Sequence, residues 1–255
     1  MLLHNQKHKI GIVIVATNAY FILGLRLVNR FNNFYSGFSQ IKFYFFSDQD
    51  PAPYLHKEIN ISYINQKHSN WVDGVNSKFK NILSLEDSDC DYIYFLDSDT
   101  NINNPFNEWS ILGDLVGGEH FGNKTWMKDV KNYDRNPRSS AYVPYNTELP
   151  QTYYLGAFFG GKKENVIEMC KVMCEWQEHN KKISHEPGVN DESYLNKYFH
   201  YNPPKTIPIE KFPFVISDKG GMHNTREPSL DISNLVEGAN ERKYSLWDIK
   251  FNKIV

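Results

Sequence analysis

The apolar run Tyr92-Ile93-Tyr94-Phe95-Leu96 leads directly into Asp97-Ser98-Asp99-Thr100. Two carboxylates separated by one residue in a turn can face a single hard cation such as Mg²⁺ or Mn²⁺. A cation held there would neutralise the charge of a diphosphate leaving group. An Asp-x-Asp turn is common by chance, and on its own it reads as a solvated acidic turn. The strand before it points to chemistry, because ligands of open α/β sheets bind beyond the carboxyl ends of strands. A second acidic pair, Asp191-Glu192, opens a helix-like segment, where the helix dipole already favours negative charge.

The elements that must position these groups alternate between the two periods. Residues 9–16 read as a central strand, about 19–35 as a helix, and 41–46 as a second strand ended by Ser47-Asp48-Gln49-Asp50-Pro51. Val72, Val75, Phe79, Ile82 and Leu83 recur at helical spacing between Trp71 and Leu85, and 91–96 is a third strand. Strand and helix in alternation predict a mostly parallel α/β sheet. The polar stretch from about 117 to 150 reads as long loops. Residues 153–159 read as a strand broken by Gly160-Gly161, and 163–181 and 190–199 as helices stopped by Pro203-Pro204. The last fifty residues carry little pattern.

Composition excludes several classes. The chain has 255 residues with 28 Lys plus Arg against 30 Asp plus Glu, a formal charge of −2. No net basic field draws it to nucleic acid or to anionic lipid. Aromatic residues reach 15%, which suits an aromatic-rich core or a surface that stacks on flat ligands. Cys90, Cys170 and Cys174 form no metal-spaced set and read as small buried hydrophobes. The apolar run from Ile10 to Leu25 is interrupted by Thr17, Asn18 and Tyr20 and closed by Arg26. It falls short of the roughly 20 apolar residues that span a bilayer, so no integral membrane segment and a cytoplasmic location are expected.

Three further segments accompany the acidic pair in order: Tyr133 to Pro144, Tyr153-Tyr154-Leu155-Gly156-Ala157-Phe158-Phe159-Gly160-Gly161, and Asn190-Asp191-Glu192-Ser193-Tyr194-Leu195-Asn196-Lys197-Tyr198. With His120 they resemble glycosyltransferase family 6, which includes the histo-blood-group A and B transferases and the α-1,3-galactosyltransferases. The resemblance covers about residues 9–205. It implies a GT-A fold, an α/β Rossmann-like sheet flanked by helices, in one catalytic domain over 1–255. Residues of about 9–100 would form the nucleotide half and about 101–255 the donor-sugar and acceptor half. It also implies retaining transfer of galactose or N-acetylgalactosamine from UDP-galactose or UDP-N-acetylgalactosamine to a galactoside-containing glycan in α-1,3 linkage. Because both acids of the pair are kept, dependence on Mn²⁺ (or Mg²⁺) is expected.

The resemblance assigns roles residue by residue. Val15, Ala16 and Thr17 would hold uridine, with Tyr20 stacked on uracil. Asp97 and Asp99 would hold the metal and the diphosphate, with Lys78 nearby. Leu155, Gly156 and Ala157 would line the donor sugar. Leu155 leans toward N-acetylgalactosamine and Ala157 toward galactose, so the pair leaves the donor open. Asp191 would bind donor hydroxyls, and Glu192 would be the catalytic carboxylate and touch the acceptor. His120 would bind the acceptor, and Lys250, with Trp247, would belong to a basic tail over UDP.

Departures are also legible. Lys78 stands where the family has Arg, and a lysine loses the bidentate fork. Val189-Asn190 replaces Trp-His, which implies a different or looser acceptor pocket. The acidic Pro-Glu-Tyr-x-Trp-Asp run is lost in Pro208 to Pro213, and the end at Val255 implies a weaker lid. With no stalk before the domain, a soluble bacterial or viral form is expected. A non-catalytic carbohydrate-binding or degenerate transferase is the alternative that these changes raise. Intact Asp97, Asp99 and Glu192 weigh against it. A phosphatase of the haloacid dehalogenase type would use Asp97 as nucleophile and Asp99 as acid/base. There the pair sits on the first strand and needs a second acidic motif, and this chain offers neither.

Overall fold

The computed structural model describes residues 7–102, 104–124, 132–145 and 152–216. In chain order the strands and helices are β1 (Lys9–Val15), α1 (Tyr20–Phe34), β2 (Gln40–Ser47), β3 (Ile61–Asn65), α2 (Trp71–Leu83), β4 (Tyr92–Leu96), β5 (Thr100–Ile102), α3 (Glu108–Ile111), β6 (Leu115–Glu119), β7 (Tyr154–Lys162), α4 (Lys163–Lys182), α5 (Asn190–Tyr201), β8 (Lys205–Ile207) and β9 (Phe214–Ile216). A seven-stranded sheet runs β3-β2-β1-β4-β7-β6-β8, and β5 and β9 form a small antiparallel ribbon. Only β7 runs against its neighbours in the large sheet. This is the mostly parallel α/β sheet that the alternating pattern predicts.

The sequence Lys9-Ile10-Gly11-Ile12-Val13-Ile14-Val15 is apolar on both faces because both faces are covered. Ile10, Ile12 and Ile14 join α1 in one core with Leu25, Val28 and Phe31. Val13 points into a second core, with Phe79 and Ile82 of α2, Met169 and Cys170 of α4, and Leu195 and Phe199 of α5. Two helical layers thus sandwich the sheet, and the carboxyl ends of β1, β2 and β4 open on one edge. Among the described residues no helix is long and apolar enough to cross a membrane. Cys90 and Cys170 are buried and Cys174 half-buried, all as free thiols.

The structure corrects two sequence expectations, and both corrections involve glycine pairs. Gly160-Gly161 does not break a strand: β7 continues through it to Lys162. A Cβ on Gly160 would collide with the Ile93 carbonyl and the Tyr94 backbone, so glycine is what lets β7 lie against β4. Gly161 adopts φ 144°, which L side chains rarely take. Gly117-Gly118 likewise lies inside β6 rather than in a loop, because a Cβ on Gly117 would meet the Tyr154 ring at 2.7 Å. Edge strand β3 and the short strands β5, β8 and β9 were also not legible, being brief and partly polar. Trp247 and Lys250 lie outside the described residues.

Since the β4–β7 contact joins the two halves of the sheet, Gly160→Ala is expected to destabilise the protein by about 3 kcal/mol through overpacking against backbone. Urea denaturation should show a lower midpoint, and an unchanged midpoint would refute the close-approach argument.

Candidate active site

The site forms where β1 and β4 end and the antiparallel β7 begins, beside the first turn of α5. Ser47 Oγ donates to Ala16 O at 2.6 Å, fixing the backbone past β1. Thr17 is buried, with its Oγ1 3.2 Å from His68 Nδ1. Burial lowers the His68 pKa. Asn18 turns in the left-handed region at φ 56°, and its N–H donates to Asp48 Oδ1 at 2.8 Å. Val15 and Tyr20 are half-buried on either side of this turn. The sequence-predicted nucleotide residues Val15, Ala16, Thr17 and Tyr20 therefore cluster.

Past β4 the chain closes a tight turn, with Thr100 N–H donating to Asp97 O at 2.9 Å. Asp97 N–H donates to Ala157 O at 3.0 Å, tying the turn to β7. Arg26 reaches the same turn from α1, where its Nη2 donates to Asp99 O at 3.1 Å. Its only sequence signal was a lone cation on the apolar run Leu23-Gly24-Leu25-Arg26-Leu27.

Lys78 is the centre of the site. Only 2% exposed, it stands 3.3 Å from Asp97 Oδ1 and 2.7 Å from Asp191 Oδ2. Nζ also donates to Gly156 O at 3.2 Å and lies 4.5 Å from the Phe95 ring centroid. Burial alone would lower its pKa, but Asp191 and Asp97 outweigh that and raise it, so the ammonium stays charged. A solvated helix lysine is thereby excluded.

One ammonium cannot compensate all of these acids. Burial, with repulsion from Asp99 and Asp191, pushes Asp97 up to about 6 despite Lys78. Burial raises Asp191 as well, against the pull of Lys78. The half-buried Glu192 is pushed up to about 7, mainly by burial and in part by Asp191. The donor set suits a hard divalent cation: two carboxylate residues on a tight turn, Asp97 with its side chain 39% exposed, and negative charge in excess. Among the described residues no group of three or more His, Cys, Asp or Glu forms a closed cage. A cation that takes one or two carboxylates and completes its shell with water and substrate phosphate needs no such cage.

Strand β7 presents its backbone to these groups. The β6–β7 register shifts between Gly117 and Glu119, so only Gly118 faces the stretch Leu155–Phe158. There the ladder is interrupted, and the Gly156 backbone serves the site: N–H donates to Glu192 Oε2 at 2.8 Å and C=O accepts from Lys78. A Cβ on Gly156 would stand 3.0 Å from Asp191 Oδ2 and 3.2 Å from Glu192 Cβ. Leu155 and Ala157 are buried on either side. Asn196, unassigned by the sequence argument though inside the quoted motif, fastens α5 to β7. Its Oδ1 accepts from Tyr154 N at 2.7 Å, and its Nδ2 donates to Tyr154 O and Glu192 O, both at 2.9 Å.

His120 arrives at the start of β7, with its N–H donating to Tyr153 O at 2.9 Å. Its ring meets Tyr153 edge-on at 5.7 Å. Gly122 N–H occupies Nδ1 at 2.9 Å, so the neutral ring carries its proton on Nε2. Burial, with the nearby Glu192 carboxylate, keeps the Tyr153 hydroxyl protonated, and that hydroxyl donates to Asn132 O at 3.3 Å. Val189 packs against Tyr133, Val143 and Tyr153.

A family model described as Glycosyltransferase family 6 matches residues 2–212. The O-antigen biosynthesis glycosyltransferase WbnI of Escherichia coli is 29% identical over 170 residues, covering 64% of this chain and 70% of its own. Globoside alpha-1,3-N-acetylgalactosaminyltransferase 1 of Mus musculus is 27% identical over 207 residues, 78% of this chain and 58% of that enzyme. Histo-blood group ABO system transferase 2 of Rattus norvegicus is 34% identical over 97 residues, 38% of this chain and 28% of that enzyme. The chain thus aligns with only part of the length of its mammalian relatives.

Removing the central cation should expose its role. Lys78→Met leaves the buried Asp191, and Asp97 beside it, without their counter-charge, and is expected to cost about 3 kcal/mol of stability. Differential scanning calorimetry at neutral pH tests this, and wild-type stability would mean that the ammonium is dispensable.

Proposed function

The chain belongs to glycosyltransferase family 6, and on that premise we propose that it transfers galactose or N-acetylgalactosamine from its UDP donor to a galactoside-containing glycan, with retention and in α-1,3 linkage. One observation carries the reading: Lys78 bridges Asp97 at the end of β4 and Asp191 at the start of α5. In this reading the bridge would bring the diphosphate end and the sugar end of a nucleotide-sugar to one charged cluster.

In this reading Val15, Ala16, Thr17 and Tyr20 hold uridine, and ring stacking on Tyr20 contributes about 1–3 kcal/mol by analogy with base–aromatic contacts. Asp97 and Asp99 would hold Mn²⁺ or Mg²⁺, which when bound supplies the positive charge that makes UDP a better leaving group. Arg26 and Lys78 keep the turn and its carboxylates in place. Leu155 and Ala157 form the wall beside the donor's 2-substituent, and Asp191 takes its hydroxyls. Glu192, steadied by the Gly156 N–H, faces the reacting carbon as nucleophile or as the charge that stabilises an oxocarbenium-like state. His120 would contact the acceptor.

The degenerate, non-catalytic alternative draws its support from the Lys78, Val189 and Asn190 departures. The Lys78 bridge weakens it, since lysine keeps both acids engaged without the guanidinium fork. The family match leaves the phosphatase reading without support.

UDP release from UDP-galactose and UDP-N-acetylgalactosamine, with and without Mn²⁺, on lactose and fucosylated lactose tests the proposal. Release from neither donor on either acceptor would overturn it for galactosides. Asp99→Asn is expected to abolish metal-stimulated turnover, and retained stimulation would remove Asp99 from the metal site. Glu192→Gln is expected to cut transfer at least about a hundredfold while sparing UDP binding.

Glu192 also carries a pH signature. Its folded pKa of about 7 lies above the ordinary 4.5, so the folded state holds the proton more tightly. The associated stability is fully present below about pH 4.5 and is lost as pH rises through about 7. Relative to wild type, Glu192→Gln should therefore gain stability above pH 7 and lose that advantage at low pH. Wild-type transfer, needing the carboxylate, should fall as pH drops below about 7. Flat difference curves in urea denaturation would contradict the assignment.

A further inference from the structure

The loop of residues 132–145 ends in an exposed aromatic side chain that the preceding account leaves unused. Asp134 and Tyr142 form an isolated bridge, and Val143 N–H donates to Asp134 O at 3.0 Å. The loop is anchored to both neighbouring helices. Ser140 N–H donates to Asn180 Oδ1 at 2.7 Å, Lys197 Nζ donates to Ser140 O at 2.6 Å, and Asp134 Oδ2 pairs with His185 Nε2 at 2.8 Å. Within this frame Arg135 Nη1 donates to Val143 O and Pro144 O, both at 2.6 Å. Its guanidinium lies 5.2 Å from the Tyr133 ring centroid and 4.4 Å from that of Tyr145.

Tyr145 is 73% exposed, the highest value among the large hydrophobic side chains described. One ring face is covered by the Arg135 guanidinium, and the ring is held out in water on a braced loop. The arrangement connects to the active site through rings. Tyr133 meets Tyr153 edge-on at 5.4 Å, and Tyr153 borders both His120 and Glu192. Phe38, nearly as exposed at 71%, precedes β2 and so lies at the opposite end of the sheet from Asp97.

We propose that Tyr145, held flat by Arg135, is a stacking platform for the outer sugars of the acceptor glycan. It would extend the acceptor surface beyond His120 and Glu192 and set a preference for longer acceptors. The proposal rests on the transferase reading above. Sugar rings present an apolar C–H face that suits an aromatic platform. A ring pre-set by a cation loses little freedom when a ligand stacks on it. The spare guanidinium N–H groups of Arg135 add donors for sugar hydroxyls at the rim.

The test compares lactose with a galactose-terminated tetrasaccharide as acceptors for wild type, Tyr145→Ala and Tyr145→Phe. Wild type is expected to prefer the tetrasaccharide in kcat/KM. That preference should fall roughly five- to tenfold in the Ala variant and be retained in the Phe variant. A wild type without the preference, or a ratio unchanged in Tyr145→Ala, overturns the proposal. General damage would lower both acceptors together and leave the ratio unchanged. If the wild type transfers nothing to either acceptor, the functional reading fails separately. Saturation-transfer NMR of the tetrasaccharide with UDP then decides the platform: binding lost in Tyr145→Ala sustains it, and binding absent or unchanged removes it.

Discussion

A buried ammonium placed between two carboxylates organises the whole site. Lys78 comes from α2, Asp97 from the end of β4 and Asp191 from α5. α2 and β4 follow one another in the chain, α5 comes much later, and the sheet order makes all three neighbours. A buried charge without a partner costs several kcal/mol. Any displacement of α2 or α5 from the strand ends is therefore opposed by electrostatics as well as by packing. The arrangement also leaves the site short of positive charge, since one cation faces several acids. That deficit leaves negative charge that a bound cation could offset.

The second constraint is backbone proximity. Functional groups approach β7 so closely that side chains would be in the way. Gly156 gives its N–H to Glu192 and its C=O to Lys78, and a register shift in the β6–β7 ladder is what frees that stretch. Gly160 lets β7 lie against β4, so the acidic turn and the glycine-rich strand end up side by side. Asn196 then fixes the rotation of α5 by bonding both the Tyr154 backbone and the Glu192 carbonyl. Packing, register and charge thus set the same geometry.

The face proposed for the acceptor is built differently: among the described residues, rings and loop hydrogen bonds do most of the holding. His120, Tyr153, Tyr133 and Arg135 form a continuous series from the carboxylates toward solvent. Such a surface can vary at its outer end without disturbing the charged centre. That division fits a fold whose relatives are named for different glycan products.

By itself the sequence determined most of the frame and which residues are candidates for the chemistry. Strand and helix periods place β1, α1, β2, α2, β4, α4 and α5 to within a few residues, because each buries a regular apolar face. Asp97 and Asp99 stand out because they follow an apolar strand, whereas Asp191 and Glu192 stand out only through the family resemblance of the segment around them. Tertiary structure alone decided the rest. Gly160-Gly161 and Gly117-Gly118 look like breakers in one dimension and are strand residues in three, since only the neighbouring backbone shows why a Cβ must be missing. The part that Lys78 plays depends on two acids from other elements, and Arg26 matters through a carbonyl that no local pattern reveals. Long-range pairing of this kind leaves no period in the chain, so it becomes visible only when the sheet brings the partners together.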